Sequence, residues 1–149
     1  MIRKFFLADD DQDDTELFEE ALRNIDKHIE FYTATNGKEL IDRLSTANEH
    51  PEIIFLDINM PELDGWESLK TIKMDDRLRA IPVVMYSTSA AKIDGNKAIK
   101  AGAVCYLEKP HSFIKLQDFL EKISGSQQDK LIETLKLIAA AKSHNIIVA

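Results

Sequence analysis

Polar residues that could carry out chemistry stand directly after four short, mostly apolar segments of the sequence. They are Asp9 and Asp10 after residues 5–8, Asp57 after 53–56, Ser87 after 83–86 and Lys109 after 105–108. Apolar segments of this length are typical of buried strands, and ligands of open α/β sheets bind at the carboxyl ends of the strands. A carboxylate nucleophile, further acids, a hydroxyl and an ammonium group at one sheet edge predict a phosphoryl-transfer site.

Within this set Asp57 is predicted to be the nucleophile, because the segment before it is the most apolar of the four. An aspartate that attacks phosphorus forms an aspartyl phosphate, whose oxygens need hydrogen-bond donors. The Ser87 hydroxyl and the Lys109 ammonium can serve as those donors. Each of the two residues is weak support alone, and the prediction depends on their occurring together.

The acidic segment is the strongest indication of a metal, since five of the six residues at 9–14 are aspartate. Neighbouring carboxylates raise one another's pKa unless a cation neutralises them. An all-oxygen, partly aqueous site suits Mg²⁺, and Asp9, Asp10 and Asp57 are the predicted source of its ligands. The remaining acids, Asp11, Asp13 and Asp14, are interpreted as a solvated loop in which Asp13 or Asp14 caps the following helix.

Strands and helices alternate along the chain, which predicts parallel βαβ units. The predicted strands are 3–8, 30–33, 53–57, 83–86 and 104–107, and the predicted helices are 15–25, 38–47, 66–75, 92–101 and 113–123. We therefore expect an α/β fold, a doubly wound five-stranded parallel sheet of order 2-1-3-4-5, which is flavodoxin-like. Residues 124–126 are a predicted hinge before an extra C-terminal helix at 127–142, and the apolar residues 146–148 have no predicted strand to pair with.

Composition narrows the function classes. The chain has 149 residues and a formal net charge of −7, which argues against nucleic acid as a partner. No segment approaches the ~20 apolar residues that cross a bilayer, and the apolar start is too short for a secretory signal. The single cysteine, Cys105, lies in a predicted strand and cannot form an internal disulfide, which fits a reducing compartment. We therefore expect a cytoplasmic protein without membrane or DNA contacts.

Four motifs give the sequence a family resemblance. They are 7–10 (LADD), 55–61 (FLDINMP) followed by 64–65 (DG), 82–87 (PVVMYS), and 102–103 (GA) followed by 106–110 (YLEKP). In this order and spacing they resemble the receiver domain of bacterial response regulators, of the CheY-like, stand-alone type. The resemblance extends from residue 1 to about 124.

The resemblance implies roles for individual residues. Asp57 would accept a phosphoryl group from a histidine kinase, a histidine phosphotransfer protein or a small acyl phosphate. Mg²⁺ would be held by Asp10, Asp57, the backbone carbonyl of Asn59 and, through water, Asp9. Ser87 and Tyr106 would form a switch that reshapes the face made by the fourth helix, the fifth strand and the fifth helix, and the Lys109–Pro110 bond would be cis.

The overall prediction is a phosphoacceptor response regulator of two-component signalling that acts through protein–protein contacts or phosphorelay. Residues 1–124 would be the receiver domain, and 125–149 a helical extension without a separate output domain. The protein would catalyse only its own phosphorylation and dephosphorylation. A homodimer could form through the switch face or the C-terminal helix. The apolar stripe of that helix, Leu131, Leu135 and Ile138, either packs on its own domain or docks another protein.

Two other functions remain open. A phosphohydrolase of the haloacid dehalogenase type uses the same residue types, but it needs a second acid two residues after the nucleophile, where this chain has Asn59. A scaffold with the receiver fold but no phosphorylation is the other. The complete set of Asp9, Asp10, Asp57, Ser87 and Lys109 speaks against it.

Overall fold

A six-stranded sheet forms the centre of the protein, whose computed structural model describes residues 1–89 and 91–149. The strand order is β2-β1-β3-β4-β5-β6. The first five strands are parallel, and the last is antiparallel to its neighbour. The strands are β1 (Lys4–Ala8), β2 (Glu30–Ala34), β3 (Ile53–Asp57), β4 (Val83–Ser87), β5 (Cys105–Glu108) and β6 (Ile146–Val148).

Helices cover both faces of the sheet. They are α1 (Gln12–Ile25), α2 (Gly37–Thr46), α3 (Gly65–Met74), α4 (Lys92–Lys100), α5 (Phe113–Ser124) and α6 (Leu131–Ala140), with a 3₁₀ helix at Gln128–Lys130. Apolar residues of α1, α5 and α6 share one buried cluster with alternate strand residues. Those of α2, α3 and α4 share the cluster on the other face. No helix in the described parts of the chain is long and apolar enough to cross a membrane.

The central strands are buried along their whole length, as their uninterrupted apolar sequences predict. Four of the helices begin at a polar side chain that accepts a hydrogen bond from the first turn. These caps are Asp11, Asn36, Asp64 and Ser112. Strand burial and helix capping therefore agree on the same framework, in which the four caps follow β1, β2, β3 and β5.

The predicted doubly wound sheet and its 2-1-3-4-5 order are confirmed, with one strand added. Residues 146–148 were expected to be unpaired, which is wrong: Ile147 pairs with Tyr106 of β5. The sheet therefore has six strands rather than five. The physical reason is that an isolated apolar segment can complete a sheet edge only where the fold brings the two together, which the local sequence does not specify.

Three further expectations differ from the structure. Helix α1 begins at Gln12, not at residue 15, because Asp11 is its cap and accepts hydrogen bonds from the N–H groups of Asp13 and Asp14. The bond before Pro110 is trans, as are all described peptide bonds. The stripe of α6 is buried within its own domain, so it is not a free docking surface.

Candidate functional site

Strand register brings the predicted polar residues to one edge of the sheet. Ala8 pairs with Leu56, so the residues that follow them, Asp9 and Asp57, lie side by side. On the other side of β3, Ser87 ends β4 and pairs with Glu108. The next residue, Lys109, donates its backbone N–H to the carbonyl of Ser87 at 2.6 Å. Four strands thus present their functional groups at the switch point of the doubly wound sheet.

Three carboxylates form a compact group. One oxygen from each of Asp9, Asp10 and Asp57 lies within 4.8 Å of the others. Asp9 and Asp57 are buried, whereas Asp10 is exposed. Asp9 is held in place because one carboxylate oxygen accepts the N–H of Asp11 at 2.9 Å. The group is therefore open to solvent on one side and closed on the other.

The electrostatics of this group favour a bound cation. Burial raises the pKa of Asp57 to about 7, with the nearby Asp9 carboxylate adding to the effect and the Lys109 ammonium opposing it. The charged form of Asp57 is thus unfavourable in the protein alone. An oxygen-rich site with uncompensated negative charge fits Mg²⁺, which prefers carboxylates together with water. The residues present fit the metal that the sequence predicts.

Lys109 supplies the positive charge at the site, and its side chain is only 11% exposed. Its Nζ lies 2.8 Å from a carboxylate oxygen of Asp9 and 2.8 Å from one of Asp14. The nearest oxygen of Asp57 is 3.9 Å away. Burial lowers the pKa of the ammonium, but hydrogen bonds to Asp14 and Asp9 outweigh this and raise it above its ordinary value. Lys109 is therefore charged and faces Asp57 without a direct hydrogen bond.

Both predicted switch residues form a hydrogen bond with the backbone of Ser89. The Ser87 hydroxyl accepts the N–H of Ser89 at 3.2 Å, and the Tyr106 hydroxyl donates to the Ser89 carbonyl at 2.7 Å. Both switch residues are buried. Ser87, Ser89 and Tyr106 thus form a hydrogen-bonded chain from the carboxyl edge of the sheet toward the face that carries α4.

The loop after β3 brings the start of α3 back against the backbone of Asp57 and Ile58. The N–H of Gly65 donates to the carbonyl of Ile58 at 2.8 Å, and a Cβ at Gly65 would lie 2.3 Å from the Asp57 carbonyl oxygen. Only glycine allows this close approach. Asn59 lies in the same loop with its side chain exposed. The turn therefore holds the start of α3 against the backbone of Asp57 and Ile58, while Asn59 faces solvent.

Sequence reasoning missed two members of the site. Asp14 was assigned to a solvated loop, although its carboxylate binds Lys109. Ser89 had no predicted contact with either switch residue. For Asp14 the signal in the sequence is Asp11, a residue type that caps helices. With Asp11 as the cap, α1 begins at Gln12 and Asp14 lies on its first turn, beside the sheet edge.

Comparisons with known proteins agree with this architecture. The family model of the response regulator receiver domain matches residues 5–121. The polar-differentiation response regulator DivK of Brucella anthropi is 32% identical over 126 residues, which are 84% of this chain and 96% of DivK.

Two solved structures extend the likeness to three dimensions. The phosphorylated cyanobacterial phytochrome response regulator RcpA has a TM-score of 0.75 at 33% identity, covering 83% of this chain and 91% of RcpA. The Mn²⁺-bound form of response regulator Rcp1 has a TM-score of 0.70 at 28% identity, covering 80% and 91% respectively.

Fold and site together define a flavodoxin-like α/β domain with an acidic, lysine-containing site at its switch point. The chain belongs to the response regulator receiver domain family of two-component signalling. Receiver domains are generally signalling proteins rather than enzymes, and they bind Mg²⁺ at an acidic pocket.

Proposed function

We propose that the protein is a phosphoacceptor response regulator whose Asp57 carboxylate receives the phosphoryl group. The supporting observation is the placement of Asp57: a buried carboxylate at the end of β3, with the Lys109 ammonium 3.9 Å away and two further carboxylates beside it. An oxygen of Asp57 attacks phosphorus and forms an O–P bond. The bond to the leaving group breaks, and its electron pair leaves with the imidazole of a phosphohistidine or the carboxylate of an acyl phosphate.

The proposed ligands of Mg²⁺ are Asp10, Asp57 and the backbone carbonyl of Asn59, with Asp9 acting through water. When bound, the metal supplies positive charge that offsets repulsion between the Asp57 carboxylate and the incoming phosphoryl group. The raised pKa of Asp57, caused first by burial and then by Asp9, supports a cation at this place. The Mn²⁺-bound form of the related Rcp1 supports it as well.

Lys109 and Ser87 are proposed to hold the transferred group. The Lys109 ammonium is charged and close enough to Asp57 to donate to a phosphoryl oxygen after a small movement. The Ser87 hydroxyl, at the end of the neighbouring strand, can donate to a second oxygen. Such donors stabilise charge that develops during transfer.

The contacts of Ser89 suggest how phosphorylation alters the surface. When the Ser87 hydroxyl turns toward the phosphoryl group, it gives up the bond from the Ser89 N–H. A movement of residue 89 then changes the acceptor of the Tyr106 hydroxyl. Ser87 and Tyr106 are thus proposed to work as a pair that reshapes the face of α4, β5 and α5. Because β6 pairs with β5, this face includes the C-terminal strand.

The proposed partners are a histidine kinase or histidine phosphotransfer protein as donor and a downstream protein as target. If a homodimer forms, it uses the face of α4, β5 and α5 as extended by β6, which is the strand at this edge of the sheet; the apolar stripe of α6 is already buried. We place the receiver domain at residues 1–124 and the extension at 125–149, and we propose a cytoplasmic location. The family match favours this function over a haloacid dehalogenase-type phosphohydrolase.

The proposal is tested by intact-mass measurement after incubation with Mg²⁺ and acetyl phosphate. We expect one phosphoryl group on the wild type, stable in acid and labile in base, and none on Asp57→Asn. Asp13→Asn, which removes one exposed carboxylate from α1, is the matched control and should still be phosphorylated. An unmodified wild type, also with purified donor proteins, would favour the scaffold function, and a phosphoryl group retained on Asp57→Asn would contradict the assignment of the acceptor.

A further inference from the structure

The ammonium of Lys109 is held by two carboxylates before any phosphoryl group arrives. Its Nζ bonds to Asp9 and to Asp14, each at 2.8 Å, while Asp57 lies at 3.9 Å. An ammonium has three N–H donors. Two of them are engaged on the side of β1 and α1, which leaves the third for the direction of Asp57. The two hydrogen bonds therefore fix the position of the ammonium group and the direction of its remaining N–H donor.

Asp14 is mounted on a rigid element. It is the third residue of α1, and its N–H donates to the Asp11 side chain at 3.2 Å. One turn further along, Phe18 is fully buried and packs against Phe55 of β3 with ring centroids 5.0 Å apart. The carboxylate of Asp14 is thus fixed relative to the strand that carries Asp57, and only about a third of its side chain is exposed.

The two carboxylates that hold Lys109 differ in one respect. Asp9 also belongs to the group of three acids that fits a divalent cation, whereas Asp14 does not. A cation held by this group would compete with Lys109 for Asp9 but not for Asp14. Asp14 would then be the carboxylate that Lys109 keeps as a partner.

We propose that Asp14 is a positioning residue that holds Lys109 beside Asp57 while Asp9 is engaged by the metal. The inference rests on the proposed phosphoacceptor function, and it adds a residue on α1 to the groups at the strand ends. Without Asp14, the ammonium keeps only Asp9 as a hydrogen-bonded partner among these acids. It then opposes metal binding at Asp9 more strongly, and it is less well placed for the phosphoryl oxygens.

The adjacent Asp13 offers a matched control. It lies on the same helical turn and is exposed, and it forms no ion pair within the described parts of the chain. Asp13→Asn and Asp14→Asn remove the same charge from neighbouring positions, but only the second removes a contact with Lys109. Asp14→Glu keeps the carboxylate and should recover part of the function. The variants are compared in the wild-type and the Lys109→Gln backgrounds.

The first measurement is the rate of phosphorylation by acetyl phosphate at saturating Mg²⁺. We expect Asp14→Asn to slow the reaction about three- to tenfold, less than the ~10²-fold that misplacing a catalytic group can cost. Asp13→Asn should change the rate less than about twofold, as expected for an exposed charge. In the Lys109→Gln background, the Asp14→Asn and Asp13→Asn changes should be equally small, since the partner is gone. Equal rates for Asp13→Asn and Asp14→Asn in the wild-type background would overturn the inference.

The second measurement is Mg²⁺ affinity by calorimetry, without any phosphoryl donor. Asp14→Asn is expected to weaken binding about three- to tenfold with Lys109 present, and clearly less in the Lys109→Gln background, because the two sites are coupled. The same loss in both backgrounds would overturn the inference. This measurement separates the two hypotheses: a wild type that is never phosphorylated contradicts the proposed function, while the Mg²⁺ titrations still decide the role of Asp14.

Discussion

Two regions at neighbouring edges of the sheet are built on different principles. At the carboxyl edge, charged groups meet because each lies at the end of a buried strand: Asp9 follows β1 and Asp57 ends β3. At the outer edge of β5, the C-terminal strand β6 covers the sheet through backbone pairing and apolar contacts. The first region carries unfavourable charge that a ligand can relieve, and the second is satisfied by the chain itself. Strand β5 takes part in both regions: its carboxyl end lies at the site, and its outer edge is covered by β6.

The contacts of the covered edge extend to the site. Asn145 accepts the N–H of Glu108 through its backbone carbonyl at 3.0 Å and donates its side-chain amide to the Glu108 carboxylate at 2.7 Å. Glu108 directly precedes Lys109. His144, whose side chain is 2% exposed, packs against Phe119 of α5 and lies 3.2 Å from a carboxylate oxygen of Asp118. We therefore expect changes in the extension to affect stability, and changes at the carboxyl edge to affect behaviour that depends on charge.

The largest stability effect is expected in the extension. Leu135 is fully buried in the cluster that joins α6 to α1 and α5. Leu135→Ala should lower the free energy of unfolding by about 2–5 kcal/mol, the usual cost of a buried leucine cavity. Urea denaturation measures it, with Leu137→Ala as the control, because Leu137 is 73% exposed on the same helix. If the two variants were equally stable, α6 would not be part of the core.

The next largest effect concerns charge at the carboxyl edge. The pKa of Asp57 is raised from 3.8 to about 7 by burial and by Asp9, so the folded state binds a proton more tightly than the unfolded state. This contribution to stability is fully present below pH 3.8 and is lost as the pH rises through about 7. It amounts to about 4 kcal/mol at most, since each pKa unit corresponds to about 1.36 kcal/mol.

Metal-free protein should therefore be less stable at pH 8 than the Asp57→Asn variant, and Mg²⁺ should raise the stability of the wild type only. Thermal denaturation at pH 5 and pH 8, with and without Mg²⁺, measures both effects. A pH dependence of the metal-free variant equal to that of the wild type would show that Asp57 is not the group responsible.

The smallest effect is expected where the extension meets α4. A Cβ at Gly95 would lie 2.2 Å from Cδ1 of Ile147. Gly95→Ala should therefore displace the β6 side chain, while alanine favours the helix by about 1 kcal/mol and offsets the loss. We expect little change in global stability but faster hydrogen exchange of the 146–148 amides. In an Ile147→Ala background, which lacks the Cδ1 atom, adding Gly95→Ala should change the exchange rate much less. Unchanged exchange in Gly95→Ala would contradict a tight contact between α4 and β6.

Local sequence predicted much of this molecule because several signals are themselves local. The burial of β3 followed from four apolar residues before Asp57, and the positions of Ser87 and Lys109 followed from the ends of β4 and β5. Helix caps were harder to predict, since several aspartates in 9–14 could each serve as the cap. The choice of Asp11 decided where α1 starts, and it thereby turned Asp14 toward Lys109.

The sequence by itself determined the alternation of strands and helices and the placing of the acids, hydroxyl and lysine at the strand ends. These features depend on periodicity and on residues adjacent in the chain. Only the tertiary structure decided the pairing of β6 with β5, the burial of the α6 stripe and the contact of Asp14 with Lys109. Each of these joins residues far apart in sequence, 95 positions in the case of Asp14 and Lys109. Such contacts depend on how complete elements pack, which no short segment specifies.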